Sequence, residues 1–529
     1  MKSLNAPYSY YDNPEISDIK DLVELYKDSK KTAFMFRDNG KVVKKTYAEV
    51  YVDVMALTGY FFNKYKNKHI AIIGENSYAW IVVALAIMLS GNICVAIDKD
   101  ADEETARRQL KQADVNAVYY SLNYCEQAAK YIRNAYPLEE LDDYIREGKK
   151  VRGKTKIKQD CEADAMIFFT SGTTGFSKAV VLSQKNIAAD IYGAAALFMP
   201  GGKVISFLPY HHAFGFVTSA LSPYYYHNRV FISGSLKHLL EDFKTAEPDT
   251  VFAVPMVVET LYRQIWRQAR RQKSDKKLLF GIRFSRGMQK IGIDWRKKLF
   301  DSVLKEFGGN LQFIVCGGAH LDVKYIEWFR SIGIEVLNGY GITECSPVVS
   351  VNRNFWHRDG SIGQACRGVN VKIIDDEIVV SGDVVMKGYY KDKKATAEVL
   401  RHGNLYTGDL GRIDEDGFIY VTGRKKNLII LSNGENVCPE EIEAALARDD
   451  GVAEVAVYEY GNRIVASIYP NDAYFGDEDY FDDIIYKYNK DKARNRQIAM
   501  VRLRSNPMPR NNNGKILRNK LIEEDNNEE

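Results

Sequence analysis

Thr170-Ser171-Gly172-Thr173-Thr174-Gly175-Phe176-Ser177-Lys178 packs hydroxyls and glycines into one short stretch and ends it on a lysine. Glycine admits backbone geometries that other residues resist. Successive N–H groups can then point into one concavity and hold phosphate oxygens. Ser171, Thr173, Thr174 and Ser177 add hydroxyl donors, and Lys178 adds a point charge. The stretch reads as a loop for polyphosphate. The plainer reading is a polar turn between two regular elements. A P-loop is not supported. That pattern needs glycine before its lysine and a hydroxyl after it, whereas Ser177 and Ala179 flank Lys178.

Further along, five stretches carry groups that could act on a bound nucleotide or acid. Pro209-Tyr210-His211-His212 holds two adjacent histidines, which can act as acid and base or bind metal. With no third ligand at helical spacing, metal is disfavoured, and one packed, hydrogen-bonded histidine is the ordinary alternative. Gly317-Gly318-Ala319 ends an apolar run, where bare backbone can lie against a flat ring. Asn338-Gly339-Tyr340-Gly341-Ile342-Thr343-Glu344 offers an aromatic to stack, a hydroxyl for phosphate and a carboxylate suited to Mg²⁺. Asp409 can accept two O–H bonds, although a lone Gly-Asp pair is an ordinary turn. Lys515 follows Asn513-Gly514, a setting in which lysine is usually just solvated.

These groups need elements to position them. Thr46 is placed to cap a helix bearing Val50, Val54 and Leu57. Ile70–Ile73, Ile93–Ile97 and Ala117–Tyr120 read as short buried strands, alternating with helices opened at Asn76-Ser77 and spanning 103–113. Such alternation argues a layered α/β domain with parallel strands. Residues 121–160 are polar and expected at the surface. Further strands are expected at 204–208, 250–255 and 378–381, with a helix from Asn186 and a hairpin over 411–423. Val258, Leu261, Ile265 and Trp266 have the spacing of a packed helix face. Beyond Lys426 a small α/β domain is expected, with a turn at Ser432–Gly434, a helix from Pro439 and strands at 452–457 and 464–468. Residues 523–529 read as a disordered acidic tail.

Composition bounds the class. A chain of 529 residues suggests two or more domains. Hydrophobic residues are 46% and charged residues 27%, as in a soluble globular protein. The net charge of +3 argues against a global field for nucleic acid. The exception is local, since 263–298 is strongly basic. That stretch suits a solvated face, an acidic carrier protein, a CoA phosphate or anionic lipid. Seven scattered cysteines without a Cys-x-x-Cys pair fit reduced thiols in a cytoplasm. The most apolar run, Ile81 to Ile97, is broken by Ser90, Gly91 and Asn92, so no spanning helix is expected.

The ordered set of motifs resembles the adenylate-forming superfamily, which includes acyl-CoA synthetases, peptide-synthetase adenylation domains and beetle luciferases. The phosphate loop keeps Thr170 to Gly175 and Lys178, with Ser177 where proline is usual and Ala179 where glycine is usual. Tyr340-Gly341-Ile342-Thr343-Glu344, Gly388-Tyr389-Tyr390, Tyr406-Thr407-Gly408-Asp409, Gly423-Arg424 and Pro509-Arg510 to Gly514-Lys515 follow in the family's order. The resemblance implies an α/β fold with a large N-terminal domain, 1–425, and a small mobile C-terminal domain, 426–529. It implies ATP and Mg²⁺, the metal on Glu344 and Thr174. Gly317, Gly318, Ala319, Asn338, Gly339, Tyr340 and Gly341 would surround adenine. Asp409 and Arg424 would meet ribose and phosphate, and Lys426 would be the hinge. Lys515, Glu344, Thr343 and His212 would be catalytic, with His212 lining the carboxylate pocket and Gly434 at the thiol tunnel. The acid-activating segment lacks the aspartate that amino-acid-activating members place there, and Phe214 and Phe216 follow His212. That favours an apolar acid without an α-amino group. The implied acceptor is CoA or the phosphopantetheine of a separate acyl carrier protein, and peripheral membrane contact stays open. A nucleotide-binding homologue without catalysis is the alternative of a different class.

Overall fold

The computed structural model describes residues 9–124, 132, 134–151, 160–170, 177–234, 238–430, 436–461, 463–493, 496–510 and 516–528. The chain forms two compact units. One comprises 1–371, 380–405 and 416–418, and the other 372–379, 406–415 and 419–529.

The larger unit is built on two sheets. The first has nine strands. Its middle is a parallel array of Phe313–Cys316, Thr250–Ala253, Lys203–Ser206, Arg229–Ile232 and Thr32–Asp38, with Glu335–Gly341 parallel to Phe313–Cys316 on the other side. The second has seven strands, with His69–Ile73 parallel to both Ile93–Ile97 and Ala117–Tyr120. Strand His69–Ile73 is buried throughout. Parallel strands covered on both faces read as continuous apolar runs, as these do. Helices between them start on local caps. Thr46 and Glu49 form a reciprocal capping box on Tyr47–Lys64, and Ser183 with Asn186 does the same for Gln184–Ala195. Ser77 Oγ accepts from the Trp80 N–H at 3.1 Å and starts Tyr78–Leu89. Trp80 is fully buried, its ring 4.9 Å from Phe216 and 5.5 Å from Tyr210.

Two expectations are corrected. Residues 121–160 are not simply surface. Leu141–Val151 is a helix whose Tyr144 and Ile145 are buried, and Tyr144 stacks on Tyr60 at 5.3 Å. Its polar residues occupy the outer face, which hides the apolar stripe in an averaged composition. Nor is the acidic end a disordered tail. Arg518–Glu528 is helical, with Leu521 buried and Asp525 fixed by Arg502 Nε at 3.0 Å and the Tyr458 hydroxyl at 2.8 Å. Paired with a cation and a hydroxyl, a carboxylate can tolerate burial that a lone one would resist.

The smaller unit holds a hairpin, Asn404–Ile413 against Ile419–Arg424, in which Asp409 faces Arg424. It also holds a three-stranded sheet of Val452–Tyr460, Arg463–Pro470 and Met500–Leu503. Helices Pro439–Leu446 and Glu478–Asn489 cover an apolar cluster that includes Ile442, Val457, Ile468 and Phe481. The expected turn at Ser432–Gly434 lies outside the described residues.

Candidate active site

Strands Phe313–Cys316 and Glu335–Gly341 run side by side, and both end in glycine-containing segments. In parallel sheets ligands settle beyond such carboxyl ends. A cavity lies there, lined by Gly317, Gly318, Gly339, Tyr340 and Gly341 along one side. Phe198, Phe214, Phe252 and Val315 make it apolar, and helix Gln184–Ala195 contributes Ala194 and Ala195. Among the described residues, its lining includes no acidic or basic side chain. Gly341 has no room for anything larger, since a Cβ would stand 1.9 Å from the Pro347 carbonyl oxygen. Asn338 and Ala319 belong to the same segments but not to the cavity's lining.

Phe214 reaches the cavity from a π-helical segment, Phe214–Leu221. Such wide turns often occur where function has distorted a helix. Gly215 permits this one, because a Cβ would lie 2.0 Å from the Pro209 oxygen. Asn76 clamps the preceding turn. Its Nδ2 donates to Leu208 O at 2.8 Å and its Oδ1 accepts from the Tyr210 N–H at 3.0 Å. The two histidines that follow are thereby separated in role. His211 is buried, with Nε2 3.3 Å from Asp98 Oδ1. Burial, helped by His212 and Lys99, pushes its imidazole well below the ordinary histidine range. At neutral pH it is uncharged, so the contact with Asp98 is not an ion pair. His212 is half-buried, its ring 4.3 Å from that of His211, and is not among the cavity's lining residues.

Glu344 lies in a single 3₁₀ turn, Thr343–Cys345. Its Oε1 accepts from the Tyr389 hydroxyl at 2.9 Å, and its carbonyl accepts from the Met386 N–H at 2.9 Å. Tyr389 is set by strand pairing, Gly388–Tyr389 lying antiparallel to Val180–Val181. That register also carries its ring beneath Lys178, whose Nζ is 4.6 Å from the ring centroid. Burial first, and the Glu344 carboxylate second, hold the phenol well above its ordinary range, so it remains a donor. The structure thus brings Lys178, Tyr389 and Glu344 together. Glu344 presents hard oxygen, and Mg²⁺ is commonly held by one or two carboxylates with phosphate oxygens completing the shell. The described residues contain no cluster of three acidic, histidine or cysteine ligands. One carboxylate plus phosphates fits that finding.

In the smaller unit Asp409 is 2% exposed, and Arg424 Nε stands 2.7 Å from its Oδ1. Glu377 organises the approach, accepting from the Gly408 N–H and from Lys425 Nζ, each at 2.8 Å. Lys426 sits in the helical turn Lys425–Asn427 just after Arg424. Ser171, Gly172, Thr173, Thr174, Gly175, Gly434 and Lys515 lie outside the described residues. Thr170 ends strand Asp164–Thr170, paired with Lys178.

Sequence reasoning missed Asn76, Asp98, Tyr389 and Asp190 as parts of the site. Asp190 is fully buried and burial raises its carboxyl well above the usual range. Its Oδ1 accepts from the Val348 N–H at 2.6 Å, tying the cavity's helical wall to its strand wall. Tyr389 had a signal in the Gly388-Tyr389-Tyr390 landmark and Asn76 one in the Asn76-Ser77 helix start.

Comparison with known proteins identifies the fold and the family. The fold is that of the adenylate-forming enzymes. The anthranilate CoA ligase AuaEII, solved with anthranoyl-AMP, superposes with a TM-score of 0.77 over 99% of this chain and 98% of that one, at 16% identity. The AMP-binding enzyme family profile matches residues 24–390, and the chain belongs to that family. The long-chain-fatty-acid–CoA ligase FadD15 of Mycobacterium bovis is 27% identical over 431 residues, spanning 73% of this chain and 70% of its own. The chloroplastic long-chain-fatty-acid–[acyl-carrier-protein] ligase AEE15 of Arabidopsis thaliana is 27% identical over 510 residues, covering 77% of this chain and 69% of that protein. Among the described residues no helix is long and apolar enough to cross a membrane.

The buried His211 has a consequence for stability. Its folded-state pKa is below its unfolded value of about 6.5. The stability that depends on neutral His211 is therefore complete above that pH and is lost as pH falls beneath it. Urea unfolding from about pH 7.5 down to about pH 5 should show the native chain losing stability more steeply than His211→Gln. Equal slopes would refute a buried neutral histidine.

Proposed function

We propose that this chain is an AMP-forming acid–thiol ligase that activates an apolar carboxylic acid, a medium or long fatty acid, and passes the acyl group to CoA. The observation that carries the reading is the uncharged, aromatic-walled cavity whose lining includes Gly317, Gly339 and Tyr340. It can take an apolar body at one end and bare backbone against a base at the other. The long-chain ligase relatives support the acyl class.

In the first step a carboxylate oxygen attacks the α-phosphorus of ATP. The bond from that phosphorus to the bridging oxygen breaks, leaving acyl-AMP and pyrophosphate. Such chemistry depends on positioning and on charge stabilisation. We assign Thr170 through Lys178 to the β- and γ-phosphates, and Lys515 to the α-phosphate and leaving oxygen. Mg²⁺ on Glu344, with Thr174, would neutralise phosphate charge. Thr343 would bond phosphate, Tyr340 with Gly317 to Ala319 and Asn338 to Gly341 would hold adenine, and Asp409 with Arg424 the ribose. His212 would face the carboxylate, with neutral His211 and Asp98 holding the turn that carries it. In the second step a thiol sulfur attacks the acyl carbon and AMP leaves. We assign residues 426–529 as the moving domain, Lys426 as hinge and Gly434 to the thiol path. A cytoplasmic location is consistent with the six described cysteines, all free thiols. The AEE15 relative supports a second reading, in which a separate carrier protein's phosphopantetheine receives the acyl group.

ATP–pyrophosphate exchange across a panel of acids, from acetate to palmitate with aryl and amino acids included, tests the reading. Exchange confined to fatty acids is expected. Exchange with amino acids, or none, would overturn it. Lys515→Ala should abolish exchange while largely sparing thioester formation from supplied acyl-AMP, and equal loss of both half-reactions would remove that assignment. Tyr389→Phe keeps the ring under Lys178 but removes the donor to Glu344. A hydrogen bond to a charged group contributes about 1.5–3 kcal/mol, so exchange should fall roughly 10- to 100-fold, with a higher Mg²⁺ requirement. Unchanged Mg²⁺ dependence would mean the contact is merely structural.

A further inference from the structure

Helix Asp275–Lys290 buries Leu278, Ile282 and Ser285 and turns its other side outward. That outward side carries large apolar residues among its cations, where a soluble helix normally shows polar groups alone. Phe280 is 70% exposed, and Phe284 stacks on it at 6.2 Å between ring centroids. Phe284 lies in turn 6.4 Å from the half-exposed Trp295. The turn between them adds Ile291, 68% exposed, and Ile293. The three rings form one continuous exposed ridge, unlike the singly scattered apolar residues that any surface carries.

Charge is concentrated on the same stretch. Residues 276–299 hold eight lysines and arginines and one acid, Asp294, a net charge of +7. The whole chain carries +3, so everything outside the stretch is net negative. No acidic residue occurs from Lys276 to Ile293. Asp294 is already engaged by Arg296 at 2.8 Å, and the flanking lysines and arginines at 276, 277, 283, 286, 290, 297 and 298 are exposed.

We propose that this face docks on an anionic lipid surface. Aromatic and branched aliphatic side chains enter the headgroup boundary, and the lysines and arginines around them reach anionic headgroups with their long stems along the apolar surface. An acidic protein would satisfy the cations. It would not need bare Ile291 and Ile293 at the tip of a turn, which a hydrocarbon boundary takes up directly. The proposal does not depend on which acid the enzyme activates.

Flotation of the full chain with vesicles tests it, using phosphatidylcholine alone or mixed with phosphatidylglycerol. The chain should float with the anionic vesicles, fail to float with the neutral ones, and be released by high salt. Lys276→Glu/Lys277→Glu/Lys290→Glu should weaken binding by more than about tenfold, since each basic residue near an anionic surface contributes measurably. Phe280→Ser/Phe284→Ser/Trp295→Ser should weaken it similarly while keeping the native urea midpoint. If either variant misfolds, the native chain still decides the matter. Its tryptophan emission should be quenched by brominated lipid, and Trp295→Phe should lose that quenching. Failure to bind anionic vesicles, equal binding by the folded variants, or quenching unchanged in Trp295→Phe would overturn the proposal. So would capture of a holo acyl carrier protein, or self-association, through these residues without vesicle binding.

Discussion

Tyr389 donates its hydroxyl proton to Glu344 across 2.9 Å while its ring face underlies the Lys178 ammonium. Three chain segments far apart in sequence meet on this one side chain. Strand pairing holds it there, with Gly388 and Tyr389 in register with Val181 and Val180 and the flanking Lys387 and Tyr390 N–H groups donating to the Val181 and Ala179 carbonyls. The phenol orients the Glu344 carboxylate and at the same time gives the Lys178 ammonium a ring face to lie on. It is a donor to the acid and a quadrupolar face to the base. Burial keeps it protonated and so preserves its donor role.

The apolar cavity rests on a different constraint, the absence of side chains. Gly341 cannot carry a Cβ against Pro347, nor Gly215 against Pro209. Removing those atoms lets strand ends and the π-helical segment approach until Phe214 lies against Gly317, whose added Cβ would meet the ring at 3.2 Å. The polar groups behind these walls are only partly bonded within the protein. Burial holds the Asp190 carboxyl well above its usual range, and one of its oxygens accepts from the Val348 N–H while the other, like the Thr218 hydroxyl, has no partner among the described residues; His211 is held uncharged beside Asp98. With no uncompensated charge at its wall, the cavity suits an apolar body.

Electrostatics divides the molecule unevenly. The chain is nearly balanced overall, yet one exposed stretch holds +7 beside an aromatic ridge. Net charge alone suggested a bland surface. Arrangement on a folded helix gives that charge a direction and places apolar rings among the cations.

Much was legible in the sequence because it is local. The Thr46 capping box and the Ser77 cap announce helix starts within four residues, whereas the Ser183 cap opens its helix at Gln184, two residues before the expected Asn186. Alternating short apolar runs announce parallel strands, and the ordered motifs announce the family. The tail at 523–528 was misread because composition cannot show that Asp525 finds Arg502 and Tyr458. The helix 141–151 was missed because its buried face is diluted by a polar one. Sequence by itself determined which chemical groups are available and the class of fold that carries them. Only the tertiary structure decided that Tyr389 serves Glu344, that His211 rather than His212 is the buried partner of Asp98, and that Phe214 walls the cavity. Those outcomes depend on strand register and on close approach between segments distant in the chain, and neither is encoded in any short window of residues.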